Sequence, residues 1–221
     1  MNRSSILAHR GWFLADREKN SKSSLVRALD NGYGLETDVR DLNGRLVISH
    51  DPPTEESEHL PLSWLFEQIL QCENGGRVAL NVKADGLSKS IAELVERFKI
   101  DSTRIYVFDM SVPDSLAYYN SCIPVYTRIS EYEERPALLE KAVGVWVDDF
   151  TGAFPQVQRA EHLLGLGLRT ALVSSELHGR NNEPLWEAIL LAGLHRHPLF
   201  ELCTDFPSEA ARLFCNPEKI R

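Results

Sequence analysis

Short apolar runs alternate with longer stretches of helical period along nearly the whole chain. Ile6 to His9 is the first apolar run, and Lys22 to Asn31 then places Leu25, Val26, Ala28 and Leu29 on one helical stripe, stopped by Asn31-Gly32. Tyr33 to Arg40 is a second strand. Asn43-Gly44 is a hairpin signal, so Leu46 to Ser49 returns as a short excursion strand ended by Pro52-Pro53. After a polar loop over 54–60 the pattern predicts a helix over Leu62 to Cys72 and a strand over Arg77 to Val82. A helix over Leu87 to Phe98 follows, with Ile91, Leu94, Val95 and Phe98 on its buried face.

The same alternation continues to the C-terminus. Strands are expected at Ile105 to Phe108, Val125 to Ile129, Val143 to Val147, Thr170 to Val173 and Phe200 to Cys203. The helices between and after them are expected at Pro113 to Asn120, Pro136 to Ala142, Pro155 to Leu164, Glu183 to Leu194 and Pro207 to Phe214. Strands that alternate with helices argue for parallel βα units. Eight such units without a linker fit an α/β chain folded as a single (β/α)8 TIM barrel over residues 1–221. A doubly wound open sheet is second choice, because no GxGxxG or GxxxxGK[ST] supports a nucleotide fold.

A barrel carries its chemistry at the C-terminal ends of its strands. Those ends read His9-Arg10-Gly11, Glu36 and Asp38, Asn81 and Lys83, Asp109, Arg128, Asp148-Asp149, Ser174 to Arg180, and Thr204-Asp205. Residues at i and i+2 of a strand share a face, so Glu36 and Asp38 are driven together, as are Asn81 and Lys83. Two carboxylates at that range repel, and a hard cation taking oxygen ligands resolves the conflict. A structural ion network with Arg10 and Lys83 is the plainer alternative. Of Asp148 and Asp149, neighbours on one strand end, only one can point inward.

Composition narrows the partners. The 221 residues carry a formal charge of −8, which argues against binding nucleic acid through its phosphates. A small anionic ligand remains compatible, because a local metal or arginine inverts the local field. No apolar run approaches the roughly 20 residues needed to span a bilayer. The N-terminus lacks the apolar core of a secretory signal, so a cytoplasmic location is expected. Cys72, Cys122, Cys203 and Cys215 show no CxxC pairing and read as buried free thiols. His59, His162, His195 and His197 read as surface residues, and the sequence leaves the oligomeric state open.

His9-Arg10-Gly11, Glu36-Thr37-Asp38 and His50-Asp51, in that order and spacing, resemble the HRG, ExD and HD motifs of the glycerophosphodiester phosphodiesterase family. Thr204-Asp205-Phe206-Pro207 is similar to the family's last strand. The resemblance covers residues 6–51 and 204–207 and is thin between them. It implies a TIM-barrel phosphodiesterase that hydrolyses a small anionic phosphodiester with a divalent cation, Mg²⁺ or Ca²⁺, held by Glu36 and Asp38. His9 and His50 would be the acid and base, Arg10 would contact the phosphate, and Lys83 matches the lysine of the family's ExK motif. Relatives of the sphingomyelinase D and phosphatidylinositol-cleaving types imply that a neighbouring hydroxyl can replace water and give a cyclic phosphate.

Two positions depart from the family pattern. Asn81 stands where ExK has glutamate, offering the cation a carbonyl oxygen without charge. Lys19, within Glu18-Lys19-Asn20, stands where the family has the acid of Pro-Glu-Asn, and a basic group there suits a second anion on the substrate. Outside the motifs, Arg128, Glu176, His178 and Arg180 are candidates to bind the phosphate or leaving group. For Ser174 to Arg180 the alternative is a solvated loop capping the next helix through Asn181 or Asn182. Two other functions fit less well: a catalytically weak phospho-ligand binding protein, and a lyase or aldolase using Lys83 as a Schiff-base amine.

Overall fold

The computed structural model describes residues 1–72, 74–121 and 123–215, so the expectation for Cys122 lies outside the described residues. In chain order the elements are β1 (Ile6–His9), α1 (Lys22–Asp30), β2 (Gly34–Leu42), β3 (Arg45–Ile48), β4 (Leu60–Pro61), α2 (Leu62–Gln71), β5 (Val78–Val82) and α3 (Ser88–Phe98). Then come β6 (Ile105–Phe108), α4 (Val112–Tyr119), β7 (Tyr126–Ile129), β8 (Gly144–Val147), α5 (Gln156–Gly165), β9 (Arg169–Val173), α6 (Glu183–Ala192), β10 (Phe200–Thr204) and α7 (Pro207–Cys215).

The parallel strands run in a ring. β1 pairs with β2 on one side and β10 on the other. From β2 the ring continues through β5 to β6, and from β10 through β9 and β8 to β7. Between β6 and β7 it is joined by the parallel bridge Val107–Val125 and a 2.9 Å bond from Val107 N to Pro124 O. This narrow seam completes the expected eight-stranded barrel. β3 pairs antiparallel with the far half of β2, as the Asn43-Gly44 turn predicted, and β4, which the pattern did not predict, pairs antiparallel with β3.

Inside the ring, side chains of alternate strand positions fill the space. Leu7, Ala79, Tyr106, Phe108, Tyr126, Trp146, Ala171, Val173 and Cys203 pack there as one cluster. Tyr106 stacks on Tyr126 with centroids 3.8 Å apart, and Phe108 on Trp146 at 4.0 Å. Rings of that size leave no room on the neighbouring strand, where Gly144 is the register partner of Tyr126. A Cβ on Gly144 would come within 2.4 Å of the Tyr126 ring, so only glycine fits there.

The closed end of the barrel is held by a buried polar knot. Arg77 reaches Glu201 at 3.3 Å and Tyr126 OH, while Tyr106 and Tyr126 donate to the other Glu201 oxygen at 3.2 and 3.3 Å. Arg77 also lies over both rings, 4.6 and 5.3 Å from their centroids. Burial disfavours its charge, but Tyr126 and Glu201 outweigh that and hold its pKa above the ordinary value.

Three expectations fail, one of them in part: Cys203 is buried, but Cys72 and Cys215 are only partly so. Residues Pro136 to Ala142 do not form a helix but a run of turns, because Leu138 takes a left-handed φ of 53° that breaks helical continuity. His195 is not on the surface: a 3-10 turn after α6 buries it to 3% exposure, and burial lowers its pKa. No helix among the described residues is long and apolar enough to cross a membrane.

Candidate active site

At the open end, β1 delivers His9 and then turns sharply. Arg10 and Gly11 take φ values of 54° and 90°, and a Cβ on Gly11 would lie 2.6 Å from Ser24 Oγ on α1. Glycine is therefore required where the loop passes the helix. The turn aims the Arg10 amide at Glu36, 3.2 Å from Oε2. His9 is the register partner of Glu36 on β2, and its Nε2 lies 4.0 Å from Glu36 Oε2. Its Nδ1 lies 2.6 Å from Asp205 Oδ1, just beyond β10.

Asp205 is thus a site residue that sequence reasoning left among the strand-end polar groups. Burial pushes its carboxyl up, but the bond from His9 and the charges of His9 and Lys19 outweigh that and hold it low. Lys19 Nζ stands 3.4 Å from Asp205 Oδ2 and 3.2 Å from Asp16, with the Phe13 ring 4.7 Å away. The lysine is already matched by two acids.

Glu36, Asp38 and Asn81 meet on the inner faces of β2 and β5. Asp38 and Asn81 are register partners, and Asn81 Nδ2 donates to Glu36 Oε1 at 3.2 Å. Burial, then the neighbouring Asp38, raises the Glu36 pKa. Asp38 is fully buried and faces Arg10 Nε at 3.0 Å, Lys83 Nζ at 3.6 Å and Asn20 Nδ2 at 2.9 Å. Asn20 accepts from Thr37 in turn, at 2.8 Å, and so orients the carboxylate; it stands at the asparagine of the family's Pro-Glu-Asn, but the sequence assigned it no role.

The donor set suits a hard cation. Among the described residues, Asp38 Oδ1 and Asn81 Oδ1 are buried without a hydrogen-bond partner, and Arg10 Nε, though close to Asp38, is not aligned to donate to it. Unpartnered buried oxygens on adjacent strands, beside a second carboxylate, are what Mg²⁺ or Ca²⁺ takes. Among the described residues, no three histidine, cysteine or acidic side chains are grouped for a metal. The set has two charges and a neutral oxygen, so any cation there is held weakly.

The cationic wall continues past Lys83. Its amine lies 3.5 Å from Asp109, which also pairs with Arg128, and Arg128 pairs with Glu133. Asp109 sits at a φ of 72° directly after β6, and burial raises its pKa against the pull of Arg128 and Lys83. Arg128 is thus within the polar cluster but is already neutralised by two acids.

The other candidates are distributed less evenly. His50 is half exposed at 45%, and its ring pairs with the neighbouring Asp51 at 2.8 Å. It lines a cleft of about 1130 Å³ that Arg10, Lys19 and Asn20 also border. Glu176 receives the Asp205 amide at 3.0 Å and the hydroxyls of Ser174 and Thr204. Arg180 donates to the carbonyls of Asp149 and Phe150 and lies 3.3 Å from Asp149 Oδ2. His178 Nε2 lies 2.7 Å from Asp148 Oδ1. Asp148 therefore faces the mouth while Asp149 caps its own loop at Gly152 N and Phe154 N, dividing the pair as expected. The alternative of a helix cap is met in part, since Asn181 Oδ1 accepts from Glu183 N at 3.0 Å while the Asn182 side chain does not cap.

No family model matches the sequence, and no curated protein matches it. Solved structures do. A glycerophosphodiester phosphodiesterase from Parabacteroides distasonis superposes with a TM-score of 0.74 at 19% identity, over 97% of this chain and 98% of that one. A putative one from Galdieria sulphuraria gives 0.74 at 16%, over 96% and 98%. One from Agrobacterium tumefaciens gives 0.64 at 14%, over 94% and 99%.

Proposed function

We propose that this chain, which shares the fold of the glycerophosphodiester phosphodiesterase structures, is a phosphoric diester hydrolase acting on a small anionic phosphodiester. The observation that carries the reading is His9, bonded to Asp205 and facing Glu36, beside a buried oxygen set flanked by Arg10 and Lys83. A general base, two cations and an oxygen cage at one barrel mouth are the parts that phosphoryl transfer needs.

Glu36, Asp38 and Asn81 would hold Mg²⁺ or Ca²⁺, which when bound neutralises phosphate oxygens as charge builds on them. Arg10 and Lys83, both anchored on Asp38, turn toward the phosphate and fix its orientation. Asp205 holds the His9 ring through Nδ1, leaving Nε2 to take the proton of the attacking water or substrate hydroxyl. His50 borders the cleft where the alcohol groups would lie. The net negative charge of the chain argues against a nucleic-acid substrate, and a cytoplasmic setting belongs to this reading.

Hydrolysis of bis(p-nitrophenyl) phosphate with Mg²⁺, Ca²⁺, Mn²⁺ or chelator, by wild type and His9→Ala, tests it. Cation-dependent nitrophenol release that disappears in the variant is expected. Ligand binding without turnover would instead favour a phospho-ligand binding protein, a reading that the neutral Asn81 motivates.

A further inference from the structure

A second polar cavity lies outside the barrel, between two neighbouring helices. α1 follows β1 and α7 follows β10, and those two strands pair. The cavity, of about 240 Å³, is lined by Arg3, Trp12, Tyr33, Ser208, Arg212 and Cys215 among others. We propose that it binds a small tetrahedral oxyanion such as inorganic phosphate. The site is separate from the mouth and stands whether or not the phosphodiesterase reading does. Ser208, Arg212 and Cys215 recur at i, i+4 and i+7, so one face of α7 supplies them. Arg3 comes from the segment before β1, Trp12 from the loop after β1 and Tyr33 from the turn before β2.

The two arginines lack the partners that others on this chain have. Arg10, Arg27, Arg77, Arg128 and Arg180 each pair with an acid. Among the described residues Arg3 and Arg212 pair with none. Each makes one long bond to a backbone carbonyl, Arg3 Nη1 to Asn31 O and Arg212 Nε to Ser208 O, both at 3.4 Å. Two cations lining one cavity repel, and a bound anion removes that conflict. The net charge of −8 makes such a local excess of positive charge against the trend of the chain.

Tyr33 supplies the buried part of the site. It is 2% exposed, with Arg3 Cζ over its ring at 5.6 Å and the Trp12 ring edge-on at 5.5 Å. Among the described residues its hydroxyl has no hydrogen-bond partner, although buried phenols usually find one. Burial raises its pKa while the charges of Arg3 and Arg212 pull it down, so both guanidinium groups act on the hydroxyl. The phenol is thus free to donate to the same anion that the two guanidinium forks hold. One fork satisfies a planar carboxylate, whereas two forks and a phenol suit an oxyanion with more acceptors.

The test is a phosphate titration of the full chain at constant ionic strength, with chelator present, followed by backbone amide NMR shifts. Shifts should saturate at Tyr33 and along Ser208 to Cys215. A Kd on the order of 1 mM is expected, because both arginines are exposed and screened. Arg3→Gln and Arg212→Gln should each weaken binding at least about 10-fold, and Tyr33→Phe about 3-fold. Lys83→Met, which removes a cation from the mouth, should leave these shifts unchanged. Shifts confined to the mouth around Arg10 and Lys83, or unaltered binding in both arginine variants, would overturn the site. Acetate binding as tightly as phosphate would overturn the choice of a tetrahedral ligand.

Discussion

His9 Nδ1 and Asp205 Oδ1 are 2.6 Å apart, so the first and last strands of the barrel meet in one hydrogen bond at its open end. The bond fixes which ring nitrogen of His9 faces Glu36. It makes barrel closure a condition of the site, since 196 residues separate the partners.

Asp205→Asn should therefore lower kcat by about 100-fold or more with KM little changed, because the amide can stabilise the wrong tautomer and cannot stabilise the imidazolium. Steady-state kinetics on an aryl phosphodiester read both constants. A change confined to KM would make Asp205 a binding group instead.

The same carboxylate contributes to stability with a defined sign. Its folded pKa lies below the unfolded one. The contribution is present above the ordinary aspartate value of about 3.9 and is lost as pH falls through the folded value. Chemical denaturation of wild type and Asp205→Asn should thus show a stability gap that narrows on acidification below about pH 4. A gap constant with pH would assign the loss to packing.

Restoring an acid at the neutral position should strengthen the cation site. Asn81→Glu is expected to raise Mg²⁺ or Ca²⁺ affinity at least about 10-fold, and Asp38→Asn to lower it by as much, by calorimetry. The Asn81 variant should also lose stability without cation, because it adds a buried charge beside Glu36 and Asp38. Unchanged affinity in both would place any cation elsewhere.

At the closed end, Arg77→Met should cost about 3–5 kcal/mol, since it leaves Glu201 buried among Tyr106 and Tyr126 without its cation. Urea unfolding measures this, and a loss under about 1 kcal/mol would show Glu201 taking up a proton at little cost.

The alternation of apolar runs and helical stripes determined the barrel, because each βα unit buries its faces only when its neighbours do the same. The i, i+2 spacing determined that Glu36 joins Asp38 and Asn81 joins Lys83, since strand geometry is local. The Asn43-Gly44 turn was legible for the same reason. The helix expected at Pro136 to Ala142 is replaced by turns with Leu138 at a left-handed φ, which the apolar pattern did not signal. Tertiary structure alone decided the pairings between strand ends far apart in sequence: His9 with Asp205, His178 with Asp148, Lys83 with Asp109. It also decided that Glu176 and Arg180 brace a loop, and that His195 is buried. A sequence records which polar groups stand at the strand ends. Only ring closure decides which of them come within hydrogen-bonding distance.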